Sequence, residues 1–171
     1  MANYQTPPTV TGPDLLTSAA WNTYVRDNLE VVGRPPSVSV RLTADRAWTG
    51  PPDRIPWDEA EWQTDSMWDA ADSEYINITA DGWYLIMGEM RFGTSTAGPV
   101  DYLYAQVSID PSPTSCLNIA SPDIFYGNTF TSYSATRYTY RYLTTTDRLY
   151  MLAGTCDLLA ESRMTIAWAY A

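Results

Sequence analysis

The sequence contains no histidine and no lysine, so all ten of its basic residues are arginines. Without histidine, the chain can form neither a Ser-His-Asp nor a Cys-His catalytic arrangement, and no zinc site can use an imidazole ligand. Without lysine, it can form no Schiff base with a carbonyl substrate and no phosphate-binding loop of the Gly-Lys type. Nucleophilic and nucleotide-dependent catalysis are therefore largely excluded, and carboxylate chemistry remains.

Cysteine is scarce as well. Cys116 and Cys156 are the only two, and their separation does not match a CxxC motif. A disulfide would require their Cβ atoms to lie within about 4 Å of each other. We expect two free, half-buried thiols, with a bridge as the alternative if the fold brings them together.

Long apolar runs are also missing from the sequence. A transmembrane helix needs about 18 or more apolar residues, so none is predicted. The first residues lack the basic and apolar regions of a secretory signal peptide, which predicts synthesis in a cytoplasm.

The charge is strongly acidic, with 20 acidic residues and a formal net charge of −10. Nucleic acid binding depends on clustered positive charge, and so does binding to an anionic membrane surface. We therefore expect neither as a partner. The 13 tyrosines and 7 tryptophans outnumber the 3 phenylalanines, and rings with a polar tip favour interfaces and sheet surfaces.

Residues 1–36 are predicted to form an extended arm, one α-helix and a proline hinge. Proline and glycine in residues 1–13 prevent a helix there. The helix begins at Asp14 or Thr17 and continues to about Val32, before Gly33. Its apolar stripe needs a covering surface, because an isolated helix this short is marginal in water. Docking onto another protein is favoured, and a three-helix bundle is the alternative, for which the stripe is a poor coiled-coil pattern. The stripe consists of Trp21, Val25, Leu29 and Val32.

Residues 37–171 are predicted to form a single all-β domain, because the apolar pattern there has a period of two. Eight or nine strands without a helix between them indicate a sandwich or jelly roll. The candidate strands are Ser37–Thr43, Ile55–Trp57, Tyr75–Thr79, Trp83–Phe92, Tyr102–Ile109, Ile124–Phe130, Ala135–Leu143, Arg148–Thr155 and Met164–Tyr170.

The strand Trp83–Phe92 is mostly apolar on both faces. A sheet with one solvated face would show one polar side, since side chains alternate between faces. With no helical layer predicted nearby, a neighbouring copy of the chain is the expected second cover. One face carries Tyr84, Ile86, Met90 and Phe92, and the other carries Trp83, Leu85 and Met87.

Three tyrosines, Tyr138, Tyr140 and Tyr142, alternate with Arg137, Thr139 and Arg141 in a later strand. Cross-strand packing with a subunit contact is the expected role of the tyrosines. A ligand or receptor face is the alternative.

Four segments resemble motifs of the C1q/TNF-like jelly-roll domain: Ile55–Asp58 (IPWD), Trp62–Asp69 (WQTDSMWD), Ile78–Ile86 (ITADGWYLI) and Thr146–Met151. In the last segment, Thr146 stands where the family has glycine. The resemblance covers residues 38–171 and implies a C1q/TNF-like jelly-roll sandwich that forms a homotrimer. None of the motifs implies catalysis. The contact residues expected from the resemblance and the strand patterns are Trp83, Tyr84, Leu85, Met87, Tyr138, Tyr140, Tyr142, Trp168 and Tyr170.

Residues Asp14–Leu29 are similar to short leader segments of tailed-bacteriophage structural proteins, notably in Trp21-Asn22 and in Arg26–Leu29. The resemblance implies a non-enzymatic virion protein, made in the host cytoplasm, as a capsid decoration or head-fibre protein. Its arm and helical stripe would hold it on the major capsid protein or another virion protein. The alternative is a minor tail or baseplate protein that binds a host-surface glycan through the loops around Trp57–Trp68.

Nine acidic residues and no basic residue lie between Asp58 and Glu89. Carboxylates from Asp65, Asp69 and Asp72 are of a type that binds Ca²⁺, but their spacing is not that of an EF-hand loop. We expect a solvated acidic loop and no cofactor.

A glycoside hydrolase is the least favoured hypothesis. It would use two carboxylates, such as Glu59 and Asp65, about 5–9 Å apart in a cleft lined by aromatic rings. Trp57, Trp62 and Trp68 lie alongside in the sequence. At this spacing we expect tryptophans to be core residues, and no enzyme is predicted.

Overall fold

The structure is a computed structural model that describes residues 33–47, 52–93, 104–111, 114–120, 132–154 and 156–170. The described part contains ten strands and a short 3-10 helix at Ala70–Asp72. The strands are β1 Ser37–Arg41, β2 Asp53–Arg54, β3 Glu59–Gln63, β4 Tyr75–Asn77, β5 Gly82–Gly93, β6 Tyr104–Asp110, β7 Thr114–Ala120, β8 Ser132–Leu143, β9 Arg148–Gly154 and β10 Arg163–Tyr170.

The strands form two antiparallel sheets. Sheet A contains β3, β1, β10, β5 and β8 in that order. Sheet B contains β2, β9, β6 and β7 in that order, and β4 also pairs with β9. Many neighbours in a sheet are far apart in sequence, such as β1 and β10, so the chain crosses repeatedly between the sheets. The predicted all-β sandwich is confirmed.

The core lies between the two sheets, and alternation along the strands fills it. In β5, Tyr84, Ile86, Met90 and Phe92 are fully buried, while the residues between them that point to the opposite face are at least partly accessible. Burying a large apolar side chain contributes about 1.5–3 kcal/mol. Gly88 lies in the same row. A Cβ atom there would lie 2.1 Å from Cδ1 of Ile119 on β7, so the packing leaves no room for a side chain.

The predicted strand Ile55–Trp57 is wrong, because the structure contains no strand at these residues. The segment joins β2 to β3, and its backbone N–H groups donate instead to Met151 and Ser73. Both Ile55 and Trp57 are buried, so the apolar pattern identified core residues but not their backbone conformation. The strands β2, β3 and β7 were not predicted.

Several predictions fall on residues outside those that the structure describes. These are the arm, the helix with its stripe of Trp21, Val25, Leu29 and Val32, and the candidate strand Ile124–Phe130. The division into residues 1–36 and 37–171 stays a prediction.

Candidate functional site

The aromatic residues of the two longest strands share one face of sheet A. β5 and β8 pair in register, with Trp83 opposite Tyr142 and Leu85 opposite Tyr140. Residues directly opposite each other in an antiparallel pair point to the same side. Because Tyr84 and Ile86 point into the core, their neighbours point away from sheet B. This outer face therefore carries three cross-strand pairs, the third being Met87 and Tyr138.

An irregularity in β10 brings Tyr170 to the same face. The register between β10 and β5 shifts between Trp168 and Tyr170, which places Tyr170 opposite Trp83. The two rings stack with their centroids 5.9 Å apart. Gly82 lets the end of β10 lie close to β5, since a Cβ atom there would lie 2.3 Å from Nε1 of Trp168 and 2.9 Å from the carbonyl oxygen of Tyr170.

These side chains form what we call the aromatic patch: Trp83, Leu85, Met87, Tyr138, Tyr140, Tyr142 and Tyr170. Six large hydrophobic residues are exposed in the described part of the chain, and five of them belong to the patch. Tyr138 is 69% exposed and Tyr170 is 54% exposed. Leu85 and Met87 are only half-buried. Exposed large apolar side chains grouped on one face are typical of interaction sites.

Tyr84 and Trp168 do not belong to the patch, which corrects the predicted contact set. Tyr84 is fully buried, and its hydroxyl donates to the carbonyl of Ala80 at 2.7 Å. Burial raises the pKa of this phenol. Trp168 is half-buried and packs against the core. Both were grouped with the patch although strand alternation directs them to its opposite face.

A group of charged residues lies at the other end of the same face, and we call it the charged cluster. It consists of Arg41, Glu59, Glu61, Glu89, Glu161 and Arg163. The carboxylate of Glu161 lies 3.2 Å from each of the two guanidinium groups. The hydrogen bond to Glu59 raises the pKa of Arg41. Beneath these ions, Ser39 is almost completely buried and lies within hydrogen-bonding distance of Glu61.

The charged cluster was missed at the sequence level. Its residues come from β1, β3, β5, β10 and the turn before β10, and no local spacing connects them. It contains two more carboxylates than guanidinium groups. The outer face of sheet A thus combines an aromatic patch with a cluster of net negative charge.

The acidic residues suggested for Ca²⁺ have separate roles. Asp69 caps the 3-10 helix by accepting from the N–H of Ala71 at 2.9 Å. Asp72 lies 3.3 Å from Arg148, and Asp65 lies in the turn after β3. The described residues contain no group of three or more acidic or cysteine side chains placed to hold a metal ion. The structure does not bring these three carboxylates together as a site.

The indoles suggested for glycan stacking are mostly in the core. Trp57 and Trp68 are buried, and only Trp62 is exposed. The carboxylates suggested for hydrolysis are also separated. Glu59 begins β3 and Asp65 follows its other end, and five residues of extended strand span about 13 Å. Glu59 is held by Arg41 at 2.5 Å.

Both cysteines are free thiols, as expected from the sequence. Cys116 is half-buried on β7, and burial raises its pKa to about 11. Cys156 is fully buried, and burial raises its pKa to about 12. Neither thiol is activated for nucleophilic chemistry, which depends on a lowered pKa.

Comparison with known proteins identifies the fold. The globular domain of zebrafish complement 1qA superposes with a TM-score of 0.60 at 12% identity, covering 79% of this chain and 98% of that domain. Murine APRIL at pH 8.0 gives a TM-score of 0.58 at 8% identity, with coverage of 78% and 98%. Eiger TNF from S. frugiperda gives 0.54 at 15% identity, with coverage of 77% and 95%.

The chain therefore has the C1q/TNF-like jelly-roll fold, and the predicted fold class is confirmed. No family model matches the sequence, and no curated protein matches it either. At these identities the likeness establishes the fold alone. Within the described residues, no helix has the length and apolar character needed to cross a bilayer.

Proposed function

We propose that this protein is a non-enzymatic structural head that forms homotrimers through the outer face of sheet A. The observation that carries the proposal is the aromatic patch, where five exposed aromatic side chains converge on one face of one sheet. Half-buried Leu85 and Met87 lie between them. A second protein surface would remove this apolar area from water, which is the main driving force of association.

Three further observations support self-association around a threefold axis. The sequence resembles C1q-like heads, for which trimers are expected. The fold matches the globular domain of complement 1qA and TNF-type proteins. The patch is rich in tyrosine and tryptophan, the residue types that are enriched at protein interfaces.

We further propose that the trimer is a component of a tailed-bacteriophage virion. The support is the similarity of residues Asp14–Leu29 to leader segments of such proteins. In this proposal the arm and the stripe that includes Trp21 and Leu29 hold the head on the major capsid protein or another virion protein. A capsid decoration or head-fibre protein is favoured over a tail protein. The burial of Trp57 and Trp68 removes most of the aromatic surface suggested for glycan binding.

Sedimentation of the full chain tests the trimer. At micromolar concentration, we expect a species with three times the 19.2 kDa mass of one chain. Tryptophan fluorescence offers a second signal. Trp83 and Trp62 are the exposed indoles in the described part of the chain, and the trimer would shield Trp83 from a soluble quencher. A stable monomer at this concentration would overturn the proposal.

Electron microscopy with labelled antibodies on purified phage particles tests the virion role. A decoration protein is present in hundreds of copies over the capsid, whereas a tail protein is present in a few at one vertex. Protein that begins at Ser37 should remain trimeric and lose particle binding. Absence of label from particles, or unchanged binding of the shortened protein, would contradict the anchoring role of residues 1–36.

A further inference from the structure

The charged cluster requires a counter-charge if the outer face of sheet A is buried. It has two more carboxylates than guanidinium groups, and both arginines already contact several of the glutamates. Removing a surplus of like charge from water is costly unless a partner supplies the opposite charge. A neighbouring copy that covers this face must therefore bring positive charge to it.

Few positive groups in the described part of the chain are available for that role. Arg91 already lies on the outer face of sheet A, where it donates to the carbonyl of Ala160, and it offsets only one of the two surplus carboxylates. Arg34 lies at the opposite end of β1 from Arg41.

Arg46, Arg54 and Arg148 form ion pairs with acidic residues of their own chain. Arg137 and Arg141 on β8 are both exposed, and within the described residues neither forms an ion pair. Neither β7 nor β8 contains an acidic residue to neutralise them.

The register fixes where these two arginines lie. Arg137 is opposite Gly88 and Arg141 is opposite Tyr84, and both partners face sheet B. The arginines therefore point to the opposite side of β8 from the tyrosines of the aromatic patch. They remain exposed because β8 is the outermost strand of sheet A in the described part of the chain. Together with β7, which Arg141 approaches near Cys116, they form a basic flank of the sandwich.

The basic flank does not pair with the charged cluster of its own chain. Glu89 lies on β5, next to β8, but it points to the outer face of sheet A, whereas the two arginines point to the opposite side of the sheet. Arg41 on β1 is three strands away from β8, about 14 Å at roughly 4.8 Å per strand. Within the described residues the two oppositely charged surfaces are therefore not paired, and both are accessible to another copy.

We propose that Arg137 and Arg141 of one copy pair with the surplus carboxylates of the charged cluster in the next copy. The inference rests on the proposed self-association and specifies how the copies are arranged. Because the two surfaces differ, the contact is heterologous, and such contacts form a closed ring when the rotation between copies closes. The dimensions of the two surfaces agree. Arg137 and Arg141 are four residues apart along β8, and Glu59 on β3 and Glu89 on β5 are three strand spacings apart across sheet A. Both distances are about 13–14 Å.

A double substitution in the full chain, Arg137→Gln with Arg141→Gln, tests this pairing. We expect the trimer to dissociate at a concentration at least about tenfold higher than the unsubstituted protein. Arg137→Lys with Arg141→Lys retains the charge and should preserve most of the association. Arg34→Gln removes another exposed arginine, at the opposite end of β1 from Arg41, and should have little effect. Thermal unfolding of each variant separates loss of assembly from loss of folding.

A double-mutant cycle identifies the acidic partners. Glu59→Gln with Glu89→Gln is combined with the two arginine substitutions, and dissociation is measured for all four proteins. If the groups pair across the interface, the combined variant dissociates at a concentration at least about tenfold lower than the product of the separate effects predicts. Raising the salt from about 0.05 M to about 1 M should weaken the unsubstituted trimer more than the arginine variant.

The outcomes distinguish this inference from the proposed function. A monomeric unsubstituted protein would overturn both. A trimer whose dissociation is unchanged by the arginine substitutions, or additive in the cycle, would overturn the pairing and leave the trimer intact.

Discussion

The outer faces of the two sheets differ in how far their side chains are satisfied by contacts within the chain. On sheet B, neighbouring polar groups of β6 satisfy one another. The hydroxyl of Tyr104 donates to Gln106, and the amide of Gln106 donates to Ser108, each at 2.8 Å. On sheet A, five exposed aromatic rings and a cluster with surplus carboxylates occupy the corresponding face. Among the described residues, no exposed large hydrophobic side chain belongs to a strand of sheet B.

Aromatic residues on sheet B are covered by arginine instead of being left accessible. The guanidinium of Arg54 lies 4.9 Å from the ring centroid of Tyr75 and 4.8 Å from that of Tyr150. Arg148 lies 4.0 Å from the Tyr75 ring and also pairs with Asp110. The comparison shows that composition alone does not identify a contact face. What distinguishes sheet A is that its aromatic rings remain uncovered within the chain.

The largest expected effect comes from adding a charge to each face in turn. Tyr140→Glu places a carboxylate in the aromatic patch, whereas Gln106→Glu places one on sheet B. We expect Tyr140→Glu to raise the concentration at which the trimer dissociates by at least about tenfold, because it removes apolar contact area and adds an unpaired charge. Gln106→Glu should leave assembly unchanged. Sedimentation measures both, and equal behaviour of the two variants would refute the assignment of faces.

A substitution in the core between the two sheets should change the free energy of unfolding. Gly88→Ala forces a methyl group against Ile119 in the core, and overpacking of this kind costs about 1–3 kcal/mol of unfolding free energy. Gly33→Ala is the matched control, because no atom lies within 4 Å of a Cβ atom built there. Denaturant titration gives the comparison. If Gly88→Ala leaves the free energy of unfolding unchanged, β7 packs less closely on β5 than the structure shows.

A smaller effect is expected on sheet B from Arg54→Gln. It removes the cation that lies over Tyr75 and Tyr150, and such contacts at accessible sites contribute about 0.5–1 kcal/mol. Thermal unfolding should show this loss while the assembly state stays unchanged. Dissociation of the trimer by this substitution would place sheet B at an interface and blur the contrast between the faces.

The smallest effect concerns acid stability at the edge of sheet A. Burial alone would raise the pKa of Asp58, but the backbone N–H of Thr43 and the guanidinium of Arg46 outweigh it and lower the pKa. A lowered folded-state pKa gives stability that is present above the ordinary pKa of an aspartate and is lost as the pH falls. The difference in stability between the unsubstituted protein and Asp58→Asn should therefore shrink from neutral pH to about pH 3. A constant difference would contradict this linkage.

Much of the fold follows from the sequence because period-two patterns are strong in the long strands. β5, β6 and β8 to β10 lie close to their predicted ranges. β3 was missed because Glu59 and Glu61 give it the composition of a loop, which an edge strand tolerates. β7 was missed because Ser115 and Asn118 interrupt its apolar residues.

The aromatic patch was predictable in part. The three tyrosines of β8 and the second apolar row of β5 were identified from alternation, and their contact role stays a prediction. Tyr170 joins the patch through a register shift that no sequence pattern reveals. The charged cluster and the basic flank depend on which strands become neighbours, so topology had to be known before either could be found.

The free side of β8 has a consequence for solubility. Over its twelve residues the strand pairs with β5 alone among the described strands, so within the described part of the chain no strand pairs with the backbone donors and acceptors of its other side. An unpaired edge strand promotes aggregation by strand addition unless charged side chains oppose the approach of another chain. Arg137 and Arg141 place positive charge on this edge strand in the isolated chain. The neighbouring copy that pairs with the two arginines would also cover the edge of β8. Oligomerisation and protection from fibre growth would then depend on the same two guanidinium groups.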